Sequence, residues 1–179
     1  ARNTTRMRQN GAFIGGTIDR DPAVNDDLSR VRAAYGKEYA IVLVYAQWGE
    51  LLPVLSTRAA AEADAALQVA WEPSYGLEAV NDDGYVREFA RALNDYSNPV
   101  FLRFASEMNG DWVPWTGNPA LYIEKFRLIS QIMREEAPNV AMVWSPNCVP
   151  TKNIDQYYPG DQYVDWVGVS GYSDYYFIG

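Results

Sequence analysis

The residues whose types and spacing could do chemistry lie in one stretch, NPVFLRFASEMNGDWVPW, residues 98–115. Asn98-Pro99 is a turn signal and Val100–Phe104 a short β-prone run carrying Arg103. The chain then breaks into a loop holding Glu107, Asn109, Gly110, Trp112 and Trp115. In a parallel α/β protein, substrates sit at the C-terminal ends of strands. A carboxyl at such an end can pass a proton to a leaving oxygen, and the indoles just after it can pack on the C–H faces of a sugar ring. A glutamate merely solvated at a loop would need neither the amide nor two tryptophans beside it.

The rest of the composition narrows the chemistry. The sequence contains no histidine, which removes Ser-His-Asp and Cys-His mechanisms and most catalytic zinc sites. Acid and base work therefore falls to carboxylates, tyrosine or lysine. Cys148 is the sole cysteine, so no disulfide framework exists, and it reads as a small buried hydrophobe. No carboxylate cluster has calcium-loop spacing, and neither a metal nor a cofactor is expected. The 6 Trp and 13 Tyr suit a hydroxyl-bearing ligand, while a net charge of −8 argues against nucleic acid and for a neutral partner. No apolar run approaches the length of a membrane span, and Ala1-Arg2-Asn3-Thr4 does not open a signal peptide.

These side chains need strands to carry them. Six are read: residues 12–18, 39–45, 67–71, 100–104, 140–144 and 164–169. Helices alternate with them. One is capped by Asn25 or Asp26 and runs through Tyr35, with Leu28, Val31 and Tyr35 on its buried face and Gly36 beyond its end. A second spans residues 57–66. A third is capped by Asp82 or Asp83 and runs to Asn94 with the stripe Val86, Phe89, Ala90 and Leu93. A fourth covers residues 120–136, with Tyr122, Ile123, Phe126, Ile129 and Met133 on one side, and stops at Pro138. Strand ends supply the further candidates Trp48, Trp71, Glu72, Trp144, Asn147 and Tyr172. An open doubly wound sheet would carry a Gly-rich phosphate loop, and Gly15-Gly16 lacks the third glycine. The pattern therefore predicts an α/β fold of the (β/α)8 TIM-barrel type, as a single domain over residues 1–179.

Taken together, Arg103, the segment 106–112 (SEMNGDW) with Trp115, then Trp144-Ser145-Pro146-Asn147, then Tyr158-Pro159-Gly160-Asp161 and residues 164–172 (VDWVGVSGY) resemble glycoside hydrolase family 26. The resemblance covers roughly residues 11–179. It implies a (β/α)8-barrel endo-glycanase of retaining mechanism acting on β-mannans, mixed-linkage β-glucans or some xylans, with Glu107 as general acid/base. It further implies that Trp112 and Trp115 form the sugar-binding floor, that Arg103 orders the carboxylates, that Tyr172 lies near the nucleophile, and that the protein is secreted. The family's mannanases usually carry histidine just before the acid/base. Ser106 stands there in this chain, which shifts the expectation toward a glucan or another β-glycan.

The family places its nucleophilic glutamate on the seventh strand, and only six strands are read here. The chain is thus expected to be an incomplete barrel, C-terminally truncated, without strands seven and eight, the remainder being supplied by a second polypeptide or cut away. Without the nucleophile, Glu107 is expected to titrate closer to an ordinary glutamate. Two other readings stand beside this one: Glu72 as a second carboxyl in an inverting pair with Glu107, and a non-catalytic carbohydrate-binding protein on a degenerate barrel.

Overall fold

The computed structural model describes residues 12–19 and 21–172. Six strands form a parallel sheet in sequential order: β1 (Gly15–Gly16), β2 (Ile41–Gln47), β3 (Ala66–Glu72), β4 (Val100–Phe104), β5 (Val140–Trp144) and β6 (Trp166–Val167). A doubly wound sheet reverses its strand order partway across, and this one does not. The order is that of a barrel wall.

The α-helices are α1 (Val31–Tyr35), α2 (Val54–Glu62), α3 (Gly84–Asn94) and α4 (Pro119–Glu136). Helix α3 starts where the sequence places it: the Asp83 side chain accepts from the Val86 N–H, and Val86, Phe89, Ala90 and Leu93 are buried. Helix α4 is capped by Asn118, whose side chain accepts from the Leu121 N–H, and Pro119 occupies the first turn, where no N–H is needed.

Elsewhere the expected limits move. The first strand pairs over only Gly15–Gly16, and a Cβ at Gly15 would lie 2.4 Å from the Ile41 carbonyl oxygen, so glycine permits the close approach to β2. The first helix is a 3₁₀ turn, Leu28–Arg30, capped by Asp27 rather than Asn25 or Asp26, followed by α1. Tyr35 is exposed because its hydroxyl reaches out to Asp21 at 2.7 Å. Helix α2 begins three residues early and ends at Glu62; Ala66 already belongs to β3. The last strand shortens to Trp166–Val167, with a bridge between Asn147 and Ser170 beyond it. Cys148 is exposed, in the loop after β5, where its N–H bonds to the Ser170 carbonyl.

Strand parity separates two faces. Val42, Val44 and Ala46 of β2, Leu67, Val69 and Trp71 of β3, and Val100, Leu102 and Phe104 of β4 are buried, forming one core with Tyr122, Phe126, Ile129 and Met133 of α4 and the α3 stripe. Burying each such side chain contributes about 1.5–3 kcal/mol. The alternate residues face the concave side. There Phe101 meets Trp166 edge-on at 5.6 Å, while Tyr45 and Trp166 stay roughly half exposed at 45% and 47%.

Candidate functional site

The β4 loop is tied to both neighbouring strand ends. The Ala105 N–H bonds to the Trp71 carbonyl at 3.0 Å and the Glu107 N–H to the Ser145 carbonyl at 2.9 Å. Between them the backbone is strained: Ala105 and Glu107 both adopt left-handed conformations, φ 47° and 62°, which non-glycine residues avoid. That turn sets the Glu107 carboxyl at the rim of the concave face.

Four side chains converge on this carboxyl. The Trp112 indole N–H donates to Oε2 at 2.9 Å and the Tyr172 hydroxyl to Oε1 at 3.2 Å, with further hydrogen bonds from Ser170 and Asn147. Partial burial pushes the Glu107 carboxyl up, but the four donors outweigh it, and the net is below the usual glutamate range. The expectation of an ordinary glutamate underrates these donors. Tyr172 is held above its usual range, first by burial and then by the charge on Glu107.

The loop behind the carboxyl is braced by residues read from sequence as ligand contacts. Asn109 is buried; its Nδ2 donates to the carbonyls of Asn147 and Pro150, both at 2.9 Å, and its Oδ1 accepts from the Asn147 N–H at 2.8 Å. It is a strut between the ends of β4 and β5, not a group offered to a ligand. The buried Trp115 likewise donates to the Ser106 carbonyl at 2.7 Å, fixing the residue before Glu107. The Thr116 hydroxyl bonds to the carbonyls of Met108 and Gly110. A Cβ on Gly110 would fall 2.4 Å from the Trp112 ring, so only glycine leaves room for the indole to fold back onto Glu107. Trp112 itself is 53% exposed and offers a ring face outward.

The other candidates divide. Arg103 projects from the concave face of β4, in register with Ala70 and, through it, with Tyr45 of β2. Its Nε is buried without a hydrogen-bond partner among the described residues. Glu72 lies at the rim of β3, where its Oε2 accepts from Gln47 Nε2 at 2.7 Å. Trp71 and Trp48 are not brought to the site. Trp71 is fully buried, stacked between Phe89 at 4.2 Å and Trp48 at 4.6 Å, so it has no face left for a sugar. Trp144 is also buried, with Tyr158 edge-on at 5.0 Å. Sequence reading missed Ser170 and Tyr45; the bridge at Asn147 and the strand register, respectively, bring them in.

A model described as Glycosyl hydrolase family 26 matches residues 78–178, more than half of the sequence. The chain belongs to glycosyl hydrolase family 26. Endoglucanase H of Acetivibrio thermocellus is 34% identical over 122 residues, which are 60% of this chain and 14% of that protein. Beta-1,3-xylanase TXYA of a Vibrio species is 40% identical over 86 residues, 45% of this chain and 18% of its own length. Among solved structures, a GH26 β-mannanase from Bacteroides ovatus superposes with a TM-score of 0.72 at 17% identity, covering 95% of this chain and 64% of the other. The chain thus spans less than a fifth of these curated relatives and under two thirds of that structure. The six parallel strands match an incomplete (β/α) barrel.

Proposed function

We propose that this chain carries the acid/base half of an endo-acting, retaining glycoside hydrolase that cleaves β-linked polysaccharide, with Glu107 donating the proton to the glycosidic oxygen. The observation that carries this reading is the convergence of Trp112, Tyr172, Ser170 and Asn147 on one strained, rim-placed carboxyl. Trp112 supplies a sugar-stacking face, and Arg103, Asn147 and Tyr172 the polar contacts around the scissile bond. Relatives named for glucan and β-1,3-xylan, and a fold neighbour named for β-mannan, support a β-glycan substrate. Ser106 in place of histidine favours β-1,3-1,4-glucan over β-mannan. The polymeric substrate implies secretion.

Retention needs a second carboxyl about 5–5.5 Å from the first. The influences on Glu107 among the described residues are burial and neutral donors. We propose that the nucleophile lies outside the described residues. Its negative charge would raise the Glu107 carboxyl toward the range a general acid needs, offsetting the four donors.

The test is Glu107→Gln in the complete protein, assayed on β-1,3-1,4-glucan, β-mannan and β-1,3-xylan. The variant should lose about 10²–10⁴-fold in activity. Oligosaccharide binding by the wild type without any turnover would instead favour a carbohydrate-binding role, and full activity of the glutamine variant would reject the assignment.

A further inference from the structure

The concave wall contains one half-exposed polar residue that the reading above leaves unused. Tyr45, Ala70 and Arg103 sit side by side in register on β2, β3 and β4. Ala70 is fully buried although it faces the concave side, so the longer side chains flanking it, not the alanine, make the surface at this level. Tyr45 is 45% exposed, and no described residue takes its hydroxyl as a hydrogen-bond partner. On the other side of Ala70, the buried Arg103 Nε also has no partner among the described residues. Both Tyr45 and Arg103 are close enough to Tyr172 to act on it electrostatically, and the Tyr172 hydroxyl is 3.2 Å from Glu107. The buried Arg103 Nε is costly to leave unpaired unless a ligand or water completes it, and the half-exposed Tyr45 hydroxyl stands open to one.

Resting on the glycanase reading, we infer that Tyr45 is a substrate-binding residue: its hydroxyl, with Arg103 across Ala70, holds hydroxyl groups of the sugar ring whose linkage oxygen meets Glu107. A ring presented this way combines an apolar body with one hydrogen-bonding tip, the pairing a pyranose requires. A sugar hydroxyl can both accept from Arg103 and exchange a hydrogen bond with the phenol, which a purely apolar ligand cannot do at either group.

Calorimetric titration of the wild type, Tyr45→Phe and Tyr75→Phe with β-1,4-mannotetraose, β-1,3-1,4-glucotetraose and β-1,3-xylotetraose tests this. Tyr75, 78% exposed on the turn after β3, serves as the control. Tyr45→Phe keeps the ring and the fold, monitored by circular dichroism. It should weaken the best-bound tetrasaccharide about tenfold, as expected for one lost hydrogen bond in a desolvated site, while Tyr75→Phe leaves binding unchanged. Wild-type affinity in Tyr45→Phe would overturn the assignment while leaving the glycanase reading intact. Failure of the wild type to bind any of the three would overturn both.

Discussion

The ends of β3 and β4 lie side by side, each bears a glutamate and a tryptophan, and they have been put to opposite uses. At β3, Trp71 turns outward, its faces covered by Trp48 and Phe89 and its indole N–H donating to the Tyr85 hydroxyl at 3.2 Å. At β4, the tryptophan comes after a strained turn, folds back over Gly110, and gives its N–H to a carboxylate while leaving a ring face to solvent. The same residue types act as stability in one place and form the candidate site in the other. Strand parity and loop geometry decide which, not proximity to a strand end.

Substitutions can break this contrast, and the largest effect on folding should come from the β3 side. Trp71→Ala should cost about 3–5 kcal/mol in urea-induced unfolding, because a fully buried indole leaves a cavity. Trp112→Ala should stay within about 0.5 kcal/mol, as surface changes do, yet weaken oligosaccharide binding. Equal losses from the two would erase the distinction. A smaller change is expected from Tyr122→Phe in the same core as Trp71. Its hydroxyl is fully buried with no partner among the described residues, so removing it should stabilise the protein by up to about 1 kcal/mol.

On the β4 side, Gly110→Ala should push the indole off Glu107. The carboxyl then loses one donor and should titrate higher than in the wild type, measured by carboxyl-carbon NMR. An unchanged titration would mean that Trp112 does not govern this carboxyl. The smallest effect is in the pH dependence of stability. A carboxyl held below its unfolded value stabilises the fold above the unfolded pKa, and that contribution disappears as pH falls through the folded value. The urea midpoint should therefore fall less steeply on acidification in Glu107→Gln than in the wild type, and identical slopes would contradict the depressed value.

Helices α3 and α4 were legible in the sequence almost to the residue, because a 3.6-residue stripe and an Asp or Asn cap are local signals. Strand β5 was equally legible as a short apolar run. The site was legible only in part. Glu107 and Trp112 announce themselves by composition, but Asn109 and Trp115 look like ligand contacts until their bonds to the Asn147, Pro150 and Ser106 carbonyls are seen. A sequence does not say which backbone groups will need partners once three strand ends are side by side. The misplacement of Trp71 had an available remedy: it shares parity with Leu67 and Val69, whereas Glu72 shares parity with Gln68 and Ala70. The same counting puts Tyr45 on the concave face. Ser170 had no such signal, since its approach to Glu107 depends on a bridge between two loops.

The stitching of the β4 loop to the ends of β3 and β5 has a mechanical consequence. With the turn bonded to Trp71 on one flank and Ser145 on the other, the backbone that bears the carboxyl is tied to the wall on both sides. A change in how those three strands splay or curl therefore displaces the backbone from which the carboxyl projects. The bend of the sheet thereby helps set where this carboxyl stands.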